Sequence, residues 1–138
     1  MATSVGEHVE RLRSVPLFAR LDDDALARIA EALVPFEAPP GHLLANAAAE
    51  GAGMFFVIDG TVEVDAARQT IELGPGEFVG ELALLNADKR RTARIRAKTD
   101  VRGYALSRPD FERLVEAEPK LALALLQALA ERLSKMMR

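Results

Sequence analysis

Between positions 22 and 33, apolar residues recur at three- and four-residue spacing, at Leu26, Ile29, Ala30 and Leu33, which is the period of one helix face. Asp22, Asp23 and Asp24 stand where the positive end of a helix favours acids, and Pro35 requires the helix to stop before it. From Val34 onward the period changes. Short apolar runs separated by glycine or polar pairs occupy 34–38, 42–45, 54–58, 61–65, 69–73, 92–97 and 101–106, and this texture predicts an antiparallel barrel or sandwich of about seven or eight strands. Asp59-Gly60 lies between two of these runs and has the signature of a two-residue type I′ turn, so 54–58 and 61–65 are expected to pair as a hairpin. After position 106 helical periodicity returns. Ser107 and Asp110 stand at capping-box spacing, Pro109 falls in the first turn, and Phe111, Leu114 and Val115 form the apolar face. Pro119 opens a last helix that runs to the C-terminus.

With no internal repeat, low-complexity segment or linker, the chain reads as one domain. Its parts are an N-terminal helical segment at 1–33, a strand block at 34–106 interrupted at 80–86, and two helices at 107–138. Composition narrows what such a domain does. At 138 residues and 49% apolar, the chain can bury a core of its own. The net charge of −3, with acids and bases mixed along the chain, gives no general attraction for nucleic acid, so no direct nucleic-acid partner is expected. The absence of cysteine removes disulfides, thiolate nucleophiles and thiolate metal sites, and fits a reducing, cytoplasmic setting. The longest apolar run, 121–126, is far short of the ~20 residues that span a bilayer, and 1–10 lacks a targeting pattern, so no membrane insertion by this chain is expected. His8 and His42 lack ligand-spaced neighbours, which argues against a metal-dependent β-barrel enzyme. No nucleophile and base stand at informative spacing, so neither a catalytic residue nor a metal is expected.

The least ordinary stretch is Gly74-Pro75-Gly76-Glu77-Phe78-Val79-Gly80, followed by the helix formers Glu81-Leu82-Ala83-Leu84-Leu85. A tight turn feeding a short helix would offer free N–H groups and a positive dipole end to an anion. Lys89-Arg90-Arg91 follows, and a guanidinium there could grip phosphate oxygens bidentately. Taken alone, the same residues also read as a chain turn, an acid placed favourably on a helix dipole, and solvated arginines. They are not a mononucleotide phosphate loop, since no Gly-Lys-Ser/Thr follows, and Gly74, Gly76 and Gly80 miss the dinucleotide spacing by one.

Gly-Glu-Leu-Ala-Leu-Leu at 80–85, then a short loop and Arg-Thr-Ala at 91–93, resembles the phosphate-binding cassette of cyclic-nucleotide-binding domains. The resemblance extends from Pro16-Leu17-Phe18 through Gly41, Gly60, Gly74 and Gly76 to the C-terminal helices. It implies a mainly β, α+β fold: an antiparallel eight-stranded, jelly-roll-like β-roll with a short phosphate-binding helix, an N-terminal helix and two C-terminal helices. The cassette would occupy 76–93. By the same resemblance Arg91 pairs with the cyclic phosphate and Glu81 accepts a hydrogen bond from the ribose 2′-hydroxyl. Gly80, Leu82 and Ala83 offer backbone groups, and Thr92 and Ala93 line the far side of the pocket.

Three positions depart from the family pattern: Val79 replaces an aromatic, Arg90 a proline, and Arg94 a small hydroxyl residue. Strand alternation sends Arg94 to solvent with Arg96 and Lys98. Thr92 is the position at which a hydroxyl can touch a guanine amino group, yet many prokaryotic members with a hydroxyl there respond to cyclic AMP. The expected ligand is therefore cyclic AMP, with cyclic GMP second. In the last helix Arg132 falls between Leu121 and Leu125 on the apolar side. It either snorkels or, as the resemblance implies, stacks on the purine as a lid. The chain is thus expected to be a regulatory sensor similar to the C-terminal domains of prokaryotic cyclic-nucleotide-regulated channels, and not an enzyme. The effector, a channel or another regulator, would lie outside it, and the last helix is free to serve the barrel or a second copy. A ligand-free interaction module of the same fold, and the sensor part of a DNA-binding regulator, are the rival readings.

Overall fold

Eight strands among the described residues form two four-stranded antiparallel sheets. They are β1 (Val34–Ala38), β2 (Leu43–Ala45), β3 (Gly53–Asp59), β4 (Val62–Ala66), β5 (Gln69–Leu73), β6 (Phe78–Val79), β7 (Ala93–Ala97) and β8 (Val101–Ser107). One sheet has the order β1-β8-β3-β6 and the other β2-β7-β4-β5. The computed structural model describes residues 5–19, 21–45, 53–66, 69–80 and 93–137. The chain divides into two units, Leu33–Phe111 with the strands, and Met1–Ala32 together with Glu112–Arg138.

Side chains from both sheets meet in one core: Ala38, Val57, Val62, Val64, Val79, Ile95, Ala97 and Val101. Along β7 the period of two is plain, with Arg94 exposed, Ile95 buried, Arg96 half-buried and Ala97 buried. The outward charges are matched across strands. Asp65 stands opposite Arg94 and Glu63 opposite Arg96, while Thr70 donates a 2.6 Å hydrogen bond to Asp65 Oδ1. Just beyond β7, the Lys98 ammonium pairs with Glu72, whose hydrogen bond and charge raise its pKa above the ordinary value. Strand β3 is largely buried along its length, which is why it reads as a continuous apolar run and not as an alternating one.

The hairpin expected at Asp59-Gly60 does not form. Strand β3 pairs with β6 and β8, whereas β4 pairs with β5 and β7, so the dipeptide carries the chain from one sheet to the other. The reason lies in the connection between β7 and β8. A Cβ on Gly60 would stand 2.1 Å from the carbonyl oxygen of Asp100. Thr61 N–H donates to Thr99 Oγ1 at 3.0 Å, and Lys98 N–H donates to the Thr61 carbonyl at 2.9 Å. The β3–β8 register also shifts between Val57 and Asp59, an irregularity of the kind that bends a strand.

In the helical unit, α2 (Asp23–Ala32) begins as expected, with Asp22 Oδ1 accepting the Ala25 N–H at 2.9 Å. A helix the sequence pattern did not announce precedes it. α1 (Val5–Arg13) buries Leu12, packs on α2 and ties Arg13 to Asp23. A 3-10 turn, Pro16–Phe18, follows α1. α3 (Arg108–Ala117) is capped by Ser107, whose Oγ accepts the Asp110 N–H at 3.3 Å. α4 (Pro119–Met136) buries Leu121 and Leu125 and leaves Leu123, Leu126 and Leu133 exposed.

Candidate functional site

The approach to the candidate site is a turn that the sequence specifies closely. In Gly74-Pro75-Gly76-Glu77, the Glu77 N–H donates to the Gly74 carbonyl at 3.2 Å and Gly76 has φ 88°. Proline second and a left-handed glycine third make this a type II turn. The Glu77 carboxylate accepts the Gly74 N–H at 2.8 Å and closes the turn from outside. Two further bonds fasten it to β3: Gly76 N–H to the Val57 carbonyl at 2.8 Å, and Val57 N–H to the Glu77 carbonyl at 2.9 Å. The resemblance had assigned Glu77 no role; its position three residues after Gly74 was the available signal.

Strand β6 then pairs Phe78 with Phe56 and Val79 with Phe55. Both its side chains are buried, and Val79 belongs to the core cluster. Val79, a candidate ligand-binding residue that stands where the family carries an aromatic, therefore has its side chain in the core. Gly80 comes next with φ 95°, a conformation that L side chains rarely adopt, so the chain leaves β6 along a path open chiefly to glycine. At the other end Ala93 enters β7 opposite Ala66, followed by Arg94 opposite Asp65 and Ile95 opposite Val64. Residues 81–92 thus connect an edge strand of one sheet to an inner strand of the other.

The structure brings Val79 and Gly80 to one end of this connection and the backbone of Ala93 to the other. Glu81, Leu82, Ala83, Arg91 and Thr92 lie outside the described residues, as does the short helix expected after Gly80. Arg132 lies on α4, half-buried on the helical line of Leu121, Leu125 and Ala128. Arg94 and Lys98 are exposed, as strand alternation requires, and Arg96 is half-buried. Among the described residues no three histidine, aspartate or glutamate side chains come together to hold a metal. No helix among them is long and apolar enough to cross a membrane.

Two four-stranded antiparallel sheets, joined by a glycine-led connection between β6 and β7 and followed by two helices, define the β-roll class of ligand-binding domain. The sequence profile described as cyclic nucleotide-binding domain matches residues 35–118, and the chain belongs to that family. A cyclic nucleotide-gated potassium channel of Rhizobium etli is 34% identical over 141 residues, covering 96% of this chain and 39% of the channel. The chain thus spans about two fifths of that relative's length. Among solved structures, the catabolite activator protein of Thermus thermophilus superposes with a TM-score of 0.75 at 28% identity, covering 88% of this chain and 59% of that one. The regulatory subunit of a cAMP-independent protein kinase A from Trypanosoma brucei gives 0.81 at 26% identity, covering 90% and 45%.

Proposed function

We propose that the chain senses a cyclic nucleotide, cyclic AMP in preference to cyclic GMP, and transmits occupancy by movement of α4. The observation that carries this reading is the way the two ends of the 81–92 connection are held. Gly80 leaves a strand whose preceding turn is fastened to β3, and Ala93 rejoins the opposite sheet against Ala66. Between those ends the sequence supplies Glu81-Leu82-Ala83 and Arg91-Thr92, the residue types that a cyclic phosphate and ribose require.

In this reading the Arg91 guanidinium pairs with the phosphate through two N–H donors. The Glu81 carboxylate accepts the ribose 2′-hydroxyl. Backbone groups of Val79, Gly80, Leu82 and Ala83 support the phosphate and ribose, Thr92 and Ala93 line the far side, and Arg132 stacks on the purine. No bond is made or broken, so the chain is a regulatory module and not an enzyme. Binding favours one of two settings of the helices and so shifts their populations. The effector lies outside these residues, and a channel is the kind that the Rhizobium relative's name supplies. A cytoplasmic setting fits, on the cytoplasmic side of a membrane where the effector is a channel. The exposed line Leu123, Leu126 and Leu133 of α4 suits a second copy of the chain.

One observation favours a second reading. The Trypanosoma neighbour shares the fold and is described as cAMP-independent, so an interaction module that does not answer to cyclic AMP is the alternative. Titration of the wild-type chain with cyclic AMP separates the two, and the phosphate contact is then tested by Arg91→Ala. It is expected to weaken binding by about 2–4 kcal/mol, the scale on which a buried charge loses its partner, as read by isothermal titration calorimetry; unchanged affinity contradicts the phosphate assignment.

A further inference from the structure

One residue joins the last two helices. The final described turn of α3 closes when the Glu118 N–H donates to the Leu114 carbonyl at 2.7 Å, and α4 opens when the Glu118 carbonyl accepts the Leu121 N–H at 2.9 Å. Between those bonds Glu118 takes φ −132° and ψ 80°, outside the helical region. The break is obligatory, because Pro119 supplies no N–H and disfavours a helical conformation in the residue before it. The two soft dihedrals of Glu118 therefore dominate the angle between α3 and α4.

An acidic side chain at a helix start is ordinarily drawn to the free N–H groups of its own first turn. Glu118 makes no such cap. Its carboxylate instead reaches α2 and pairs with the Arg28 guanidinium; the Glu118 side chain is 16% exposed and that of Arg28 58%. A joint residue that forgoes its own cap and is tied by its side chain to a third helix cannot rotate without disturbing that tie.

We propose that Arg28–Glu118 is a latch that holds the α3–α4 joint in one setting, so that movement of α4 is set against this ion pair. The idea rests on the sensor reading for its consequence but not for its geometry. A half-exposed pair of this kind shifts a two-state balance by roughly two- to fivefold, enough to tune a sensor without locking it.

The chain has no cysteine, so spin labels go cleanly onto Glu112→Cys in α3 and Ser134→Cys in α4. Their separation is then measured by double electron–electron resonance in the full chain without nucleotide. Wild type is expected to give one narrow distance distribution. Glu118→Gln and Arg28→Gln are each expected to broaden it or add a second distance, and the exchange Arg28→Glu with Glu118→Arg to restore the narrow one. Superimposable distributions in wild type and both single variants overturn the latch, and so does an exchange that restores nothing. In a parallel titration with cyclic AMP, the single variants are expected to change Kd by about two- to fivefold in the same direction, and the exchange to reverse the change. If wild type binds no cyclic nucleotide, the sensor reading falls while the distance measurement still decides the latch.

Discussion

Gly60 shows what a single residue does in this fold. Its φ of 94° is already left-handed, and a Cβ there would meet the Asp100 carbonyl oxygen at 2.1 Å. Gly60→Ala is expected to lower stability by about 2–4 kcal/mol, combining left-handed strain with displacement of backbone. Urea unfolding checks this: the midpoint should fall with little change in slope, and an unmoved midpoint contradicts it. The sequence marks Gly60 as a turn residue, yet the partner that decides the turn's course lies far off, as in the Thr61–Thr99 bond across 38 positions. A local hairpin rule therefore finds the bend and misplaces its product. Val79 is a similar case. Its neighbours in the sequence place it next to Gly80, but only the β6 pairing shows that its side chain is in the core.

At the scale of elements, what the sequence reveals follows length and periodicity. The periodic helices α2, α3 and α4 begin at the capping acid, serine or proline that the sequence displays. β6 has two residues, too few for alternation, and becomes a strand through its pairing with β3. α1 has Val9 half-buried and Leu12 buried in an otherwise polar stretch, and its place comes from packing on α2. Arg132 was legible as an interruption of an apolar line, and its half-burial agrees with that position. Arg132→Ala is expected to weaken cyclic AMP binding by about 0.5–2 kcal/mol, the loss of a cation over an aromatic face, with the urea midpoint unchanged. An unchanged Kd assigns the side chain to packing alone.

Across the whole molecule, the strand block announces itself because turns and short apolar runs alternate from Val34 to Leu106, and the two-sheet architecture follows from closing them around one core. Sheet partnership was less legible, since it depends on corners such as Asp59-Gly60 where the chain changes sheet. The candidate site divides the same way. Of its flanks, Gly80 follows the paired β6 with a left-handed φ and Ala93 is set by register against Ala66, whereas the roles of Glu81 and Arg91 rest on sequence motif. Family membership rests on residues 35–118, and cyclic-nucleotide occupancy of the site rests on those motif residues. The most direct test is calorimetric titration of the purified chain with cyclic AMP and cyclic GMP side by side. Saturable binding at one site per chain, tighter for cyclic AMP, is the predicted result; no heat and no competition with either nucleotide contradicts the account.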